Sequence, residues 1–390
     1  MTTLFFVILI CFIGVGLPDS VLGTAWPVIY RELNLPISLA GYITSTVSAC
    51  TIISSLVSAR AIKKFGVGGV TAISTVMTAA ALFAYAIAPN PIYFFVAAIP
   101  LGLGAGSIDT ALNNFVALHF SAAKMSFLHC FYGLGVAVSP YIIASALGAD
   151  NNWRKGYIII ASIQSIISVI AIAALPFWRK CTDCKAGDDT DSEIKILSVR
   201  QMMRMPKARV SAFAFLTSCA TELTAGGWCS SYFCEAKGIK PGSAAQITMM
   251  FYIGMTAGRF FSGIFSKKLG RRRIIAISAA IVFVSLVTLV MNLSAWIAAA
   301  ALFLLGLGIG PIFPNLSHLT PSLFGRDISG AIMGFQQTAA YIGIMAMPWL
   351  FGVLAQRLST AIFPFYLLIL FSLYIVSLVQ LFKKSKNTLF

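Results

Sequence analysis

Acidic residues are scarce in this sequence: 12 Asp and Glu stand against 28 Lys and Arg in 390 residues, and charged residues make up only 10%. A soluble domain with 58% hydrophobic residues and a mean hydropathy of +0.89 would expose far too much apolar surface, so that class is excluded. Catalytic spacings are missing as well. No HExxH, GxSxG, Walker motif or nucleophile–base pair occurs in a polar segment, which argues against an embedded enzyme and an ATP-driven pump. Cys181 and Cys184 form a lone CxxC with no second ligand pair, and the other six cysteines lie in apolar runs, so neither metal nor cofactor is expected. Long polar stretches are also lacking. The longest, 179–207, has 29 residues, too few for the output domain of a sensor.

Apolar runs of bilayer-spanning length fill the rest, about 20 residues each. Twelve are read, near 4–30, 39–59, 69–89, 92–118, 124–147, 156–178, 208–235, 243–266, 273–293, 295–318, 328–355 and 359–382. The fold class is therefore an all-α membrane protein with twelve transmembrane helices. A net charge of +16 would suggest nucleic acid in a soluble protein, but here it follows topology. With the N-terminus cytoplasmic, 21 basic residues fall in inner segments and six in outer ones, as the positive-inside rule requires. Both termini are expected in the cytoplasm, in a multi-pass protein of the cell membrane. No nucleic-acid partner is expected, and anionic lipid is the natural neighbour of the basic face. The first run lacks a basic leader and carries Pro18-Asp19 in its core, so it is expected to be retained.

The two halves repeat. Gly102-x-Gly104-x-Gly106 returns as Gly306-x-Gly308-x-Gly310, and Lys63-Lys64-Phe65-Gly66 as Lys267-Lys268-Leu269-Gly270, both displaced by 204. Asp19 falls against Glu222 at 203, each followed by a tryptophan (Trp26, Trp228), and His129 with Pro140 falls against Gln337 with Pro348. Four matches in register indicate duplication. The expected organisation is an N-terminal six-helix bundle over 1–178, a cytoplasmic linker over 179–207, and a C-terminal six-helix bundle over 208–390. Two pseudo-symmetric bundles with a mid-depth site between them is the secondary-transporter arrangement.

The loops after the second and eighth runs carry the family resemblance. Gly263-Ile-Phe-Ser-Lys267-Lys268-Leu-Gly270-Arg271-Arg272, and more loosely Arg60, Lys63, Lys64 and Gly66, resemble the signature of the major facilitator superfamily, without its acid. The missing acid removes an ion pair that the family often uses as a conformational latch. GLGAGSIDTALNNFV (102–116), SFLHCFYGLG (126–135), TELTAGGW (221–228) and YIGMTAGRF (252–260) resemble the branch of fucose–proton symporters and sodium-dependent glucose transporters. That resemblance implies binding and proton-coupling roles for Asp19 and Asp109. It places His129 and Tyr132 where the branch has sugar-contacting amides, and Asp109 where it usually has glutamate.

The intramembrane acids Asp19, Asp109 and Glu222 are the candidate proton-coupling groups, because a carboxylate in lipid marks a pathway by default; the bland reading is a bond to a neighbouring helix. The candidate substrate contacts are Asp19, Asn113, Asn114, His129, Tyr132, Gln336, Gln337, Trp228 and Tyr341. Amides suit hydroxyls, and rings supply a flat apolar platform. His129 reads equally as a packing residue, and Trp26 and Trp228 equally as an outer aromatic belt, which is favoured for Trp26. Arg259 reads as a structural charge or as a gating partner for an acid. The expected function is proton-coupled symport of a monosaccharide or similar small polar solute, by a monomer working through alternating access. Export of drugs, lipophilic compounds or lysolipids, and sodium-coupled sugar uptake, are the alternatives.

Overall fold

Residues 2–120, 122–150, 152–181, 197–291 and 293–386 are described in the computed structural model, with no strand among them. The first half holds α1 (Thr2–Gly16), α2 (Val21–Glu32), α3 (Leu39–Ala86), α4 (Pro91–His119), α5 (Ala122–Asp150), α6 (Trp153–Ala173) and α7 (Leu175–Cys181). The second holds α8 (Val199–Arg204), α9 (Pro206–Lys237), α10 (Pro241–Leu269), α11 (Arg271–Val290), α12 (Ala295–Ile309), α13 (Ile312–Phe324), α14 (Arg326–Arg357) and α15 (Phe363–Lys386).

Nine segments among the described residues are long and apolar enough to cross a membrane, and Leu39–Ser55 is a shorter apolar one. The runs expected as seventh and eighth spans form helices of 32 and 29 residues, α9 and α10, yet fall outside those nine. Both are diluted by Ser, Thr and Gly, and each carries an inward charge, Glu222 or Arg259.

The duplication is visible in individual contacts. A Cβ on Gly106 would run into the Thr51 carbonyl and one on Gly310 into that of Met255, while Gly102 and Gly306 meet Val47 and Phe251 in the same way. Each of these partners is also displaced by 204, so α12 packs on α10 as α4 packs on α3. Only glycine permits backbones that close. The basic turns match as well: Gly66 bends α3 at φ 70°, and Gly270 separates α10 from α11 at φ 75°. Such backbone favours glycine, which explains why both motif copies keep it.

Across the halves, α2 lies on α9, α5 on α10, and α3 on α14. The expected solvated linker is shorter than 179–207. Trp178 of α7 is buried against Gly68 and 4.8 Å from the Phe115 ring, which anchors that end to the first half. α8 opens with a capping box between Ser198 and Gln201 and buries Met202 with Ala208 and Ile332 of the second half. Cys184 and the acids of the tract lie outside the described residues.

Candidate functional site

The site begins where the first membrane segment stops being helical. Pro18 has no N–H to donate, and α1 ends at Gly16 while α2 begins at Val21. The intervening turn is stapled to α5: Ser139 Oγ donates to the Leu17 carbonyl at 2.7 Å, and Ser20 Oγ donates to the Val136 carbonyl at 2.8 Å. Ser139 thereby occupies the acceptor that the break exposes at Leu17. The staple leaves the Asp19 side chain in accessible space, where its Oδ2 accepts a hydrogen bond from the Tyr132 hydroxyl at 2.5 Å.

The other candidates converge on the same depth. Asn113 Nδ2 donates to Asp109 Oδ1 at 2.8 Å, one turn along α4, while Asn113 Oδ1 is buried without a partner. Asp109 is half-buried and lies near Asp19 and Tyr341. Tyr341 in turn lies near Gln337 and, across the halves, near Ser55. His129 is exposed, edge-on to Phe12 at 6.0 Å between ring centroids.

Glu222 is not a lone acid. Its Oε1 accepts from Arg259 at 2.9 Å, with each side chain 15% exposed, and Arg259 Nε also donates to the Gly310 carbonyl at 3.3 Å. Arg259 is therefore ion-paired with an acid, an arrangement that a structural charge and a gating partner share. Tyr252, seven residues before Arg259 and so on the same face of α10, is buried and lies near both Asp19 and Glu222. The sequence reading missed Tyr252 as a site residue; its heptad spacing from Arg259 was the available signal.

Two of the candidate substrate contacts, Gln336 and Trp228, are held in bonds between helices instead. Gln336 is 1% exposed, accepting from Thr320 at 2.9 Å and donating to Ser211 at 2.5 Å, so it ties α9, α13 and α14 together. Trp228 is buried and its indole donates to the Pro348 carbonyl at 2.9 Å. Trp26 is also fully buried, donating to the Ile37 carbonyl at 2.8 Å, so the outer belt favoured for Trp26 is corrected, and Trp228 does not face outward either. The side chains of Asn114 and Lys267 lie outside the described residues. Arg60, Lys63, Lys64, Lys268 and Arg271 are exposed at the basic end, where Arg271 donates to the His318 carbonyl at 3.1 Å. A Cβ added to Gly263 would meet no described atom within 4 Å.

The opposite end is sealed. Glu235 Oε1 accepts from the Tyr30 hydroxyl at 2.6 Å and from Arg31 at 2.7 Å, joining α2 to α9. Ser230 Oγ donates to the Thr24 carbonyl at 3.0 Å, Ser45 Oγ to that of Met345 at 2.9 Å, and the Ser38 N–H to Gln356 at 3.2 Å. The described hydrogen bonds between the halves thus run from this end to mid-depth. A recess of about 330 Å³ at this end is lined by Pro27, Val28, Arg31, Glu32 and Pro241, and by none of Asp19, Asp109 and Glu222.

Two repeated bundles around intramembrane acids are matched by a family model. Described as Major Facilitator Superfamily, it covers residues 5–348 and, in a second match, 210–388. The chain belongs to the Major Facilitator Superfamily. Family and fold are those of transporters, and the chain is a multi-pass membrane protein. It is 24% identical over 399 residues to Bypass of stop codon protein 6 of Saccharomyces cerevisiae, covering 91% of this chain and 78% of that protein. It is 24% identical over 269 residues to the glucose/mannose transporter GlcP of Bacillus subtilis, covering 64% of this chain and 63% of GlcP. The crystal structure of the nucleoside transporter NupG superposes with a TM-score of 0.74 at 12% identity, over 97% of each chain. At that identity the likeness concerns the fold.

Proposed function

We propose that the chain is a secondary transporter that couples protons to the movement of a monosaccharide or similar small polar solute by alternating access. The observation that carries this reading is the meeting of Asp19 and Asp109 with Tyr132, Asn113, Gln337 and Tyr341 between the two bundles. Hydroxyl, amide and carboxylate groups beside aromatic rings match a polyol, which offers both donors and acceptors along an apolar face. GlcP, named as a glucose/mannose transporter, supports the same solute class.

In this reading the basic end is cytoplasmic and the molecule is closed to the outside. Asp109 is the coupling acid, Asp19 the acid that first meets the solute, and Glu222 a second coupling candidate held by Arg259. The chain works as a monomer in the cell membrane, needs no resident cofactor, and uses the proton as coupling ion, with sodium the alternative. Anionic headgroups neighbour Arg60, Lys63, Lys64, Lys268 and Arg271.

The test is uptake into proteoliposomes of radiolabelled D-glucose, D-mannose and L-fucose, with a proton or a sodium gradient imposed separately. Accumulation of at least one sugar under an inwardly directed proton gradient is expected. Accumulation under sodium alone would transfer the coupling to sodium, and no accumulation of any sugar would overturn the solute class. A second reading, export of organic cations, is favoured by the rings of Tyr132, Tyr252 and Tyr341 beside acids. Proton-driven export of a fluorescent cationic dye would select it.

A further inference from the structure

We infer that Tyr132 is a positioning residue for the transport cycle, tying Asp19 of the first half to the Arg259–Glu222 pair of the second and holding the halves together while Asp19 is ionised. The inference rests on Asp19 being one of the three candidate proton-coupling acids, but not on the identity of the solute.

Tyr132 stands where α5 touches both its neighbours. Its own carbonyl lies against Gly16 at the end of α1, and the next residue, Gly133, packs so closely on α10 that a Cβ there would sit 2.5 Å from the Thr256 hydroxyl. From that point the hydroxyl reaches one way, donating to Asp19 Oδ2 at 2.5 Å. The ring faces the other way, its centroid 6.0 Å from the Arg259 guanidinium carbon. Arg259 is fixed in turn by Glu222 at 2.9 Å and by the Gly310 carbonyl at 3.3 Å. One side chain therefore connects an acid on the broken first segment with an ion pair on α9 and α10.

The link is state-dependent by its chemistry. An ionised carboxylate accepts a strong, charge-assisted bond from a phenol; a protonated carboxyl is a weaker acceptor and carries a proton of its own to place. Protonating Asp19 loosens the hydroxyl end, and the ring end alone, at the outer limit of cation–π range, is a weak tether. The charged and titratable groups around Tyr132 are Asp19 with Asp109 behind it, Glu222 from α9, Arg259 and Tyr252 from α10, and His129 and Cys130 on α5 itself. Among them Asp19 alone bonds the hydroxyl, so its ionisation is the variable that the link reports.

The experiment is hydrogen–deuterium exchange on the full chain in lipid nanodiscs without solute, at pH 8.5 and 5.5, with rates corrected for intrinsic pH dependence. The segments read are 24–40 and 227–241, which form the seal. Protection there should fall in the parent as pH drops. Tyr132→Phe keeps the ring and removes the donor. It should lower protection at pH 8.5 by about tenfold, the scale of one hydrogen bond to a charged group, and shrink the difference between the two pH values. Asp19→Asn should abolish the pH response of the same segments, and the double variant should add nothing to it. Parent-like behaviour of Tyr132→Phe at both pH values, a parent without pH response, or additive effects in the double variant would each overturn the inference. If Tyr132→Phe also loses protection in α11 and α15, it is globally unstable and Asp19→Asn decides: a retained pH response overturns the link and a lost one supports it. Failure of the sugar assay would leave this readout intact, because no solute is present.

Discussion

At the residue scale the site is a set of acids with unequal partners. Asp19 has a phenol, Asp109 an amide, and Glu222 a guanidinium. Only Glu222 has its charge balanced, in a pair that is 15% exposed on each side. Removing one member of a largely buried pair leaves an uncompensated charge, which typically costs about 3–5 kcal/mol. Glu222→Gln should therefore lower the melting temperature in detergent, and Glu222→Gln with Arg259→Met should recover much of the loss. A double variant no more stable than the single one would show that the pair contributes little. Asp19→Asn should weaken solute affinity first, measured by competition in an exchange assay, because Asp19 is placed to bond hydroxyls. The three acids were legible in the sequence because a carboxylate in a long apolar run has few structural reasons to be there. Their partners were less so: Gln336 and Gln337 are adjacent in sequence, yet helical rotation turns one into the Thr320–Ser211 contact and the other toward Tyr341.

At the element scale the repeat gives the clearest expectations. Gly106→Ala and Gly310→Ala should each destabilise, because the added Cβ meets the carbonyl of Thr51 or Met255 and neither backbone can withdraw. Gly263→Ala, which meets nothing, is the control. Equal melting temperatures for all three would refute the close packing. The seal makes a second expectation. Arg31 is 53% exposed, so its ion pair with Glu235 is worth little, and the Tyr30 bond carries most of the contact. Glu235→Gln should shift the balance toward an opened seal by about fivefold, roughly 1 kcal/mol, read as faster labelling of a cysteine placed at Thr24. The signature loops lack the acid that would latch the basic end, whereas an acid latches the opposite end. That substitution was not legible: Glu235 reads as one more residue at a helix end until α2 and α9 are seen side by side. The linker was misjudged for a related reason. Met202 looks like a stray apolar residue in a charged tract, and its burial depends on Ile332, far along the chain.

At the scale of the whole molecule, two half-molecules that repeat the same glycine contacts meet where α2 lies on α9 and α10, α3 on α14 and α5 on α10, sealed at one end. Such an arrangement can exchange one sealed end for the other by rocking about the mid-depth contacts, which is where the acids stand. The duplicated motifs made this architecture readable from sequence, because the shared displacement of 204 fixes which helices correspond. The state of the molecule was not readable, because which end is closed depends on contacts between halves that differ by small rotations of intact bundles. Cysteines at Asn113 and Gln337, one from each half, should be protected from maleimide by a transported solute, and permanent protection by lipid would contradict the shared cavity.

The most direct test of the account is Asp109→Asn in proteoliposomes. The amide imitates the protonated acid but cannot release a proton, so coupling should be lost while the pathway stays intact. The account predicts solute exchange across the membrane at a rate within about tenfold of the parent, one unit of 1.4 kcal/mol in the barrier, with no accumulation under an imposed pH gradient. A variant that accumulates solute against its gradient as well as the parent does would contradict it.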